Sequence, residues 1–273
     1  MSENSSAGAD SGARSGQVSA EAPVPAPRGL RAAAIGYGNF LFKHRNWVFP
    51  VLLIALFDLL RPAPLGGAVA SDLWLNILGA AVSALGLAIR GAVIGLAYIK
   101  RGGLNKRIYA ENLVTEGVFA HCRNPLYVGN VLMLFGYLAM HNNPWVWLIG
   151  GGFTLISYTS IVAAEEHFLR GTFGSAYEAY CRDVPRWWIR LNGLGATLNS
   201  MSFNWTRVVI KDYATAMFAV MIVSGLFAYD VWAVEGFPAA WPAVYWVAAV
   251  WATVVVLATI VRILKKNGRW TDK

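Results

Sequence analysis

The sequence predicts an all-α fold, a polytopic membrane helical bundle of about six transmembrane helices, on three observations. Of 273 residues, 56% are hydrophobic and only 14% charged, with mean hydropathy +0.46, against roughly 25% charged in soluble domains. Uncharged apolar stretches recur along the chain, several of them near the about 20 residues that a membrane-crossing helix needs. Basic residues flank those stretches instead of forming one stripe, so the net charge of +8 reads as membrane topology and not as a nucleic-acid surface.

Residues 1–34 are rich in Ser, Ala, Gly and Pro without a sustained apolar run, so they are expected to form a disordered tail with no secretory signal. The first apolar run, Trp47 to Leu60, carries Pro50 and is short, so it must borrow from Gly36 to Phe42 or cross a thinned membrane. The second, Leu73 to Tyr98, is long enough to tilt, and its Gly91 and Gly95 offer a small-residue face to a neighbouring helix. Leu126 to Met140 and Trp145 to Ala164 are joined by His141-Asn142-Asn143-Pro144, a link too brief for anything but an antiparallel hairpin. Tyr213 to Val231 and Trp241 to Ile263 form a second hairpin across Trp232 to Ala240. The chain thus divides into the tail, a core over 35–212 and an additional C-terminal hairpin over 213–273.

Of the 23 Lys and Arg, all but Arg61 and Arg90 fall on one side of a six-span arrangement. Both termini and the 99–125 and 165–212 segments are therefore expected in the cytoplasm, consistent with a bacterial inner membrane. Cys122 and Cys181 have no CxxC pairing and no His at ligand spacing, so neither a disulfide framework nor a metal site is expected.

Two cytoplasmic segments concentrate the polar residues. In the first, Pro125 suits the first turn of the third helix, which leaves His121 and Arg123 on irregular backbone at its positive end, where an anion can dock. Arg123 alone also fits a phosphate-headgroup anchor. Tyr127 and Gly129 follow one turn later, where glycine permits close approach of a ligand or another helix. In the second, Glu165 and Glu166 end the fourth span, where adjacent carboxylates need cationic or hydrogen-bonding partners and acids at membrane depth suggest function. Phe168, Leu169, Phe173, Tyr177, Tyr180 and Val184 then recur at helical spacing, as in a helix lying against the membrane face. Neither GxxxxGK[ST] nor a complete GxGxxG occurs, so any nucleotide-like cofactor needs an all-helical site.

These residues resemble those of the isoprenylcysteine carboxyl methyltransferases and the related phospholipid methyltransferases. The similar elements stand in family order: Leu113-Val-Thr-Glu-Gly117, Arg123-Asn-Pro-Leu-Tyr-Val-Gly129, Asn143-Pro144, Glu165-Glu166, and Phe173-Gly174 through Tyr177 and Tyr180 to Val184-Pro185. The resemblance implies an integral membrane methyltransferase with S-adenosyl-L-methionine in a cytoplasmic pocket and a lipid or lipidated acceptor arriving from the bilayer, either an isoprenylcysteine-type carboxylate or a phospholipid amine. It further implies that His121 and Arg123 contact the cofactor carboxylate or the acceptor, and that Pro125, Tyr127 and Gly129 line the pocket. Glu165 and Glu166 would receive the ammonium or ribose hydroxyls, with Tyr177, Tyr180 and Arg186 closing the cytoplasmic side. Arg123, Glu166 and Arg90 are the residues expected at the chemistry. Trp187-Trp188-Ile189 departs from the family ending, and two spans follow where many members stop, which leaves acceptor and oligomeric state open. Arg90, inside the second span, either snorkels to the interface or faces the interior and orients an anionic acceptor headgroup. The competing readings are an NADPH-dependent reductase of the sterol reductase type, and a non-enzymatic membrane scaffold.

Overall fold

The computed structural model describes residues 26–63, 69–96, 101–104, 107–110, 112–268 and 270. Long helices dominate: α1 (Gly29–Leu59), α2 (Val69–Leu96), α3 (Pro125–His141), α4 (Pro144–Asp183), the short α5 (Leu194–Asn199), α6 (Trp205–Glu235) and α7 (Phe237–Lys266). Among the described residues, the segments within α1, α2, α4, α6 and α7 are long and apolar enough to cross a membrane. This is an integral membrane protein. The sixth expected span, α3, has 17 residues, or about 25 Å of helix.

Three differences from the sequence reading have local causes. The helix of α1 starts at Gly29, inside the stretch read as tail, and runs unbroken through Pro50; residues 1–25 of that tail lie outside the described residues. A two-stranded antiparallel hairpin, β1 (Arg101–Leu104) with β2 (Arg107–Ala110), occupies a stretch read as loop. The stripe from Phe168 onward is divided: Phe168, Leu169 and Phe173 belong to the membrane helix of α4, and Tyr177 and Tyr180 to a short helical piece beyond Gly174, whose φ of 50° and ψ of −126° break the helical geometry, a conformation that glycine alone adopts readily.

The contacts set α2 antiparallel to both α3 and α6, so α3 and α6 run parallel to each other. Glycines set the closest approach: a Cβ on Gly136 would run into the Gly79 carbonyl oxygen, and one on Gly129 would meet the Gly86 oxygen at 2.7 Å. The small-residue seam of α2 is therefore Gly79 and Gly86 against α3. Gly91 and Gly95, expected in that role, instead meet Val208 and the Phe203 ring. Gly38 brings α1 onto the backbone of Ser160 in α4. The α3–α4 turn is built by Asn142, left-handed at φ 48°, and by Asn143, whose side chain accepts from the Trp145 amide at 2.8 Å. Asn143 also donates to the Arg61 carbonyl at 2.7 Å, which fastens this turn to the end of α1.

Candidate functional site

Pro125 occupies the first turn of α3, where its missing N–H costs nothing. After α4 ends, Val184-Pro185-Arg186 returns across that start: the Arg123 amide donates to the Pro185 carbonyl at 2.9 Å, and Asn124 Nδ2 to the Arg186 carbonyl at 3.0 Å. This return carries the Arg186 guanidinium onto Glu166, with Nε to Oε1 at 2.9 Å and Nη2 to Oε2 at 3.0 Å. Arg123 reaches the same carboxylate at 3.2 Å and Arg170 at 3.4 Å. One buried carboxylate thus meets three guanidiniums. Burial opposes the charge on Arg123, and Glu166 together with the neighbouring Cys181 and Tyr177 offsets it, leaving the guanidinium above its ordinary pKa. Burial also pushes the adjacent Cys122 thiol up, which suits a structural cysteine and not a nucleophile.

Glu165 faces elsewhere, accepting from the Tyr127 hydroxyl at 3.0 Å. It lines a cavity of about 200 Å³ with Phe42 and Arg45 of α1, Arg90 of α2, Asn124, Pro125, Tyr127 and Asn130 at the start of α3, and Phe119. The structure thereby brings four expected residues, Arg90, Pro125, Tyr127 and Glu165, around one space. Arg123, Glu166 and Arg186 form the ionic cluster beside it. Tyr177 and Tyr180 pack with Leu169 and Val184, and the Tyr180 hydroxyl donates to the Phe119 carbonyl at 2.7 Å, so they brace the wall. His121 lies within hydrogen-bonding distance of the Arg190 carbonyl at 2.7 Å and Thr197 Oγ1 at 2.9 Å, tying down the segment before α5. Gly129 lies against Arg90 Cγ and the α2 backbone, so helix packing occupies the space it frees.

Arg90 turns inward. It donates to Asn130 Oδ1 at 2.5 Å and to Thr215 Oγ1 at 3.3 Å, and pairs with Asp212 of α6. Arg45, Asn130 and Asp212 were not foreseen as site residues. For Asp212 a signal existed: an acid at the start of an apolar run, a candidate partner for the Arg90 charge inside the second run.

A family model described as phospholipid methyltransferase matches residues 74–176, from the first turns of α2 to just beyond Gly174. The cobalt-zinc-cadmium resistance protein CzcN of Cupriavidus metallidurans is 31% identical over 168 residues, which cover 61% of this chain and 72% of that protein. The chain belongs to the phospholipid methyltransferase family. This places it among the membrane methyltransferases that include the isoprenylcysteine carboxyl methyltransferases. A second relative, the nickel-cobalt-cadmium resistance protein NccN of Alcaligenes xylosoxydans xylosoxydans, is 28% identical over 165 residues, covering 59% of this chain and 72% of that protein. No solved structure matches. The phospholipid methyltransferase segment supplies Glu165, Glu166 and the start of α3. Arg186, Asp212 and the α6–α7 hairpin lie beyond it.

Proposed function

We propose that the protein is an S-adenosylmethionine-dependent methyltransferase acting at the cytoplasmic membrane face on a lipid or lipid-like acceptor. The observation that carries this reading is the cavity lined by Glu165, Tyr127, Asn130, Arg45 and Arg90, all but Arg45 within the segment that matches the phospholipid methyltransferases. Its donor set fits the amino-acid end of the cofactor: Glu165 matches an ammonium, the arginines match a carboxylate, and Phe42, Phe119 and Tyr127 are aromatic neighbours for a sulfonium. Arg90 Nε is buried with no hydrogen-bond partner, an orphaned donor in a residue that lines this space. At about 200 Å³ the cavity is smaller than the roughly 300–1,000 Å³ typical of ligand sites, so the nucleoside end would extend through its mouth.

When bound, S-adenosylmethionine would supply an electrophilic methyl, the carbon bonding to a lone pair of the acceptor while the S–C electrons return to a neutral thioether sulfur. The chain's own work is positioning. Glu165 and the Asn124–Asn130 face would hold the donor, and Tyr127 fixes the Glu165 carboxylate. Glu166 acts one step back, gathering Arg123, Arg170 and Arg186 into a cationic wall that shuts the cytoplasmic side. Aligning two reactants in this way is worth up to about 7–11 kcal/mol in the best intramolecular cases. The relatives' names attach them to metal resistance; in this chain such a role would run through a methylated membrane component.

The test is transfer of labelled methyl from S-adenosylmethionine to lipids extracted from vesicles containing the purified protein. Label in the lipid fraction that disappears in Glu165→Gln is the expected result. No label above the protein-free control, across vesicles offering amine and carboxylate acceptors, would overturn the reading.

A further inference from the structure

The ionic pair of Arg90 and Asp212 has a different space on each side. Arg90 lines the polar cavity described above. Asp212 lines a second cavity of about 400 Å³ between α2, α6 and α7 whose other walls are almost wholly apolar, among them Leu87, Met217, Val220, Val254 and Leu257. Val220 and Leu257 are exposed on the lipid-facing surface, so the groove opens sideways into the bilayer. Most of it is supplied by the α6–α7 hairpin, outside the segment that matches the family model.

Asp212 is almost completely buried, with 3% of its surface exposed. One carboxylate oxygen pairs with Arg90, and the other, Oδ2, is buried with no hydrogen-bond partner. A buried acceptor left in this condition costs about 1–3 kcal/mol, more when charged. The groove therefore combines an aliphatic trough with an unmet demand for a hydrogen-bond donor near one end. From Asp212 to Val220 the trough follows α6 for eight residues, about 12 Å.

We infer that the groove between α2 and the α6–α7 hairpin holds one hydrocarbon chain of an amphipathic membrane lipid, whose hydrogen-bond-donating head is held at Asp212. The head then lies across the Arg90–Asp212 pair from the polar cavity. A lipid amine meets the demand of Oδ2; a quaternary head of equal charge, lacking N–H, does not. The inference goes beyond the methyltransferase reading and does not depend on it; it gives the C-terminal hairpin the task of holding a membrane lipid beside the polar cavity.

The experiment uses the full-length protein in nanodiscs containing phosphatidylethanolamine or phosphatidylcholine with the same diazirine-bearing acyl chain. Crosslinked peptides are mapped by mass spectrometry, and S-adenosylhomocysteine binding is measured on the same samples. Labelling of Leu87, Met217 and Val254 severalfold above that of Trp74 and Ile77, lipid-facing residues on another stretch of α2, is expected, with the ethanolamine lipid labelling more than the choline lipid. Asp212→Asn should bring that headgroup ratio close to one. Ala216→Trp, which fills the trough, should abolish the excess for both lipids while the melting temperature stays near that of the wild type. Groove labelling no greater than at Trp74, or unaffected by Ala216→Trp in a folded sample, overturns the proposal. Strong, Ala216→Trp-sensitive labelling without S-adenosylhomocysteine binding would support the lipid site and remove the methyltransferase reading.

Discussion

Adjacent on α4, Glu165 and Glu166 meet different partners, the Tyr127 hydroxyl on one side and Arg123, Arg170 and Arg186 on the other. Neutralising Glu166 leaves three arginines facing an amide, and removing one member of a buried ionic set costs about 3–5 kcal/mol. Glu166→Gln is therefore expected to lower the thermal midpoint in detergent sharply, together with donor affinity. An amide in place of Glu165 still accepts from Tyr127, so Glu165→Gln should keep stability within about 1 kcal/mol while losing donor binding. Equal stability losses in both variants would remove this division of labour. The need of the two acids for partners was legible in the sequence. Which acid meets the arginines was not, because Arg186 arrives through hydrogen bonds from the Arg123 amide and the Asn124 side chain that no local pattern encodes.

At the scale of elements, packing rests on glycines that have no room for a side chain. Gly136→Val would drive a side chain into Ser83 and the Gly79 backbone, and overpacking of this kind costs about 1–3 kcal/mol. Gly152→Ala, inside α4 at a position with nothing within 4 Å, should not lower the melting temperature, since alanine favours a helix interior over glycine, and the pair of variants measured side by side checks the seam. Gly174→Ala probes the break in α4. Backbone strain of about 1–3 kcal/mol is expected, and straightening there would withdraw Tyr177, Tyr180 and Arg186 from the wall, so donor affinity should fall more than stability does. The α3–α4 hairpin was legible because Asn142, Asn143 and Pro144 carry turn chemistry of their own. The α2–α3 seam was not: Gly79 and Gly86 stand seven residues apart, a spacing as ordinary as that of Gly91 and Gly95, and only the partner helix decides which pair is used. The β1–β2 hairpin escaped notice since Arg101–Leu104 is half glycine, with little strand propensity of its own.

For the molecule as a whole, the ionic cluster, the polar cavity and the Arg90–Asp212 pair gather toward one end of the bundle, where the α2 C-terminus meets the starts of α3 and α6. Asn76 donates to Asp230 at 2.8 Å, and His141 stacks on Phe57 toward the other end. The basic residues, 21 of 23 on one side of a six-span arrangement, predict that the cavity end faces the cytoplasm. Cysteine labelling on a Cys-free background should show Ala176→Cys protected from an impermeant reagent added outside intact cells, and labelling there would reverse the topology. The membrane-crossing character was readable from apolar runs, since burial in lipid demands them, although five of the six expected spans are long and apolar enough among the described residues and α3 has only 17 residues. The cavity was readable only in part, because Arg45 and Asn130 gain meaning from neighbours far away in sequence. The central claim is that the Glu165 cavity holds the methyl donor, and calorimetric titration of the detergent-purified protein with S-adenosylhomocysteine tests it most directly. Saturable one-to-one binding, weakened about 10-fold or more in Glu165→Gln by loss of a charge-assisted hydrogen bond of about 1.5–3 kcal/mol, is the predicted result; binding of equal strength in the wild type and in folded Glu165→Gln would contradict it.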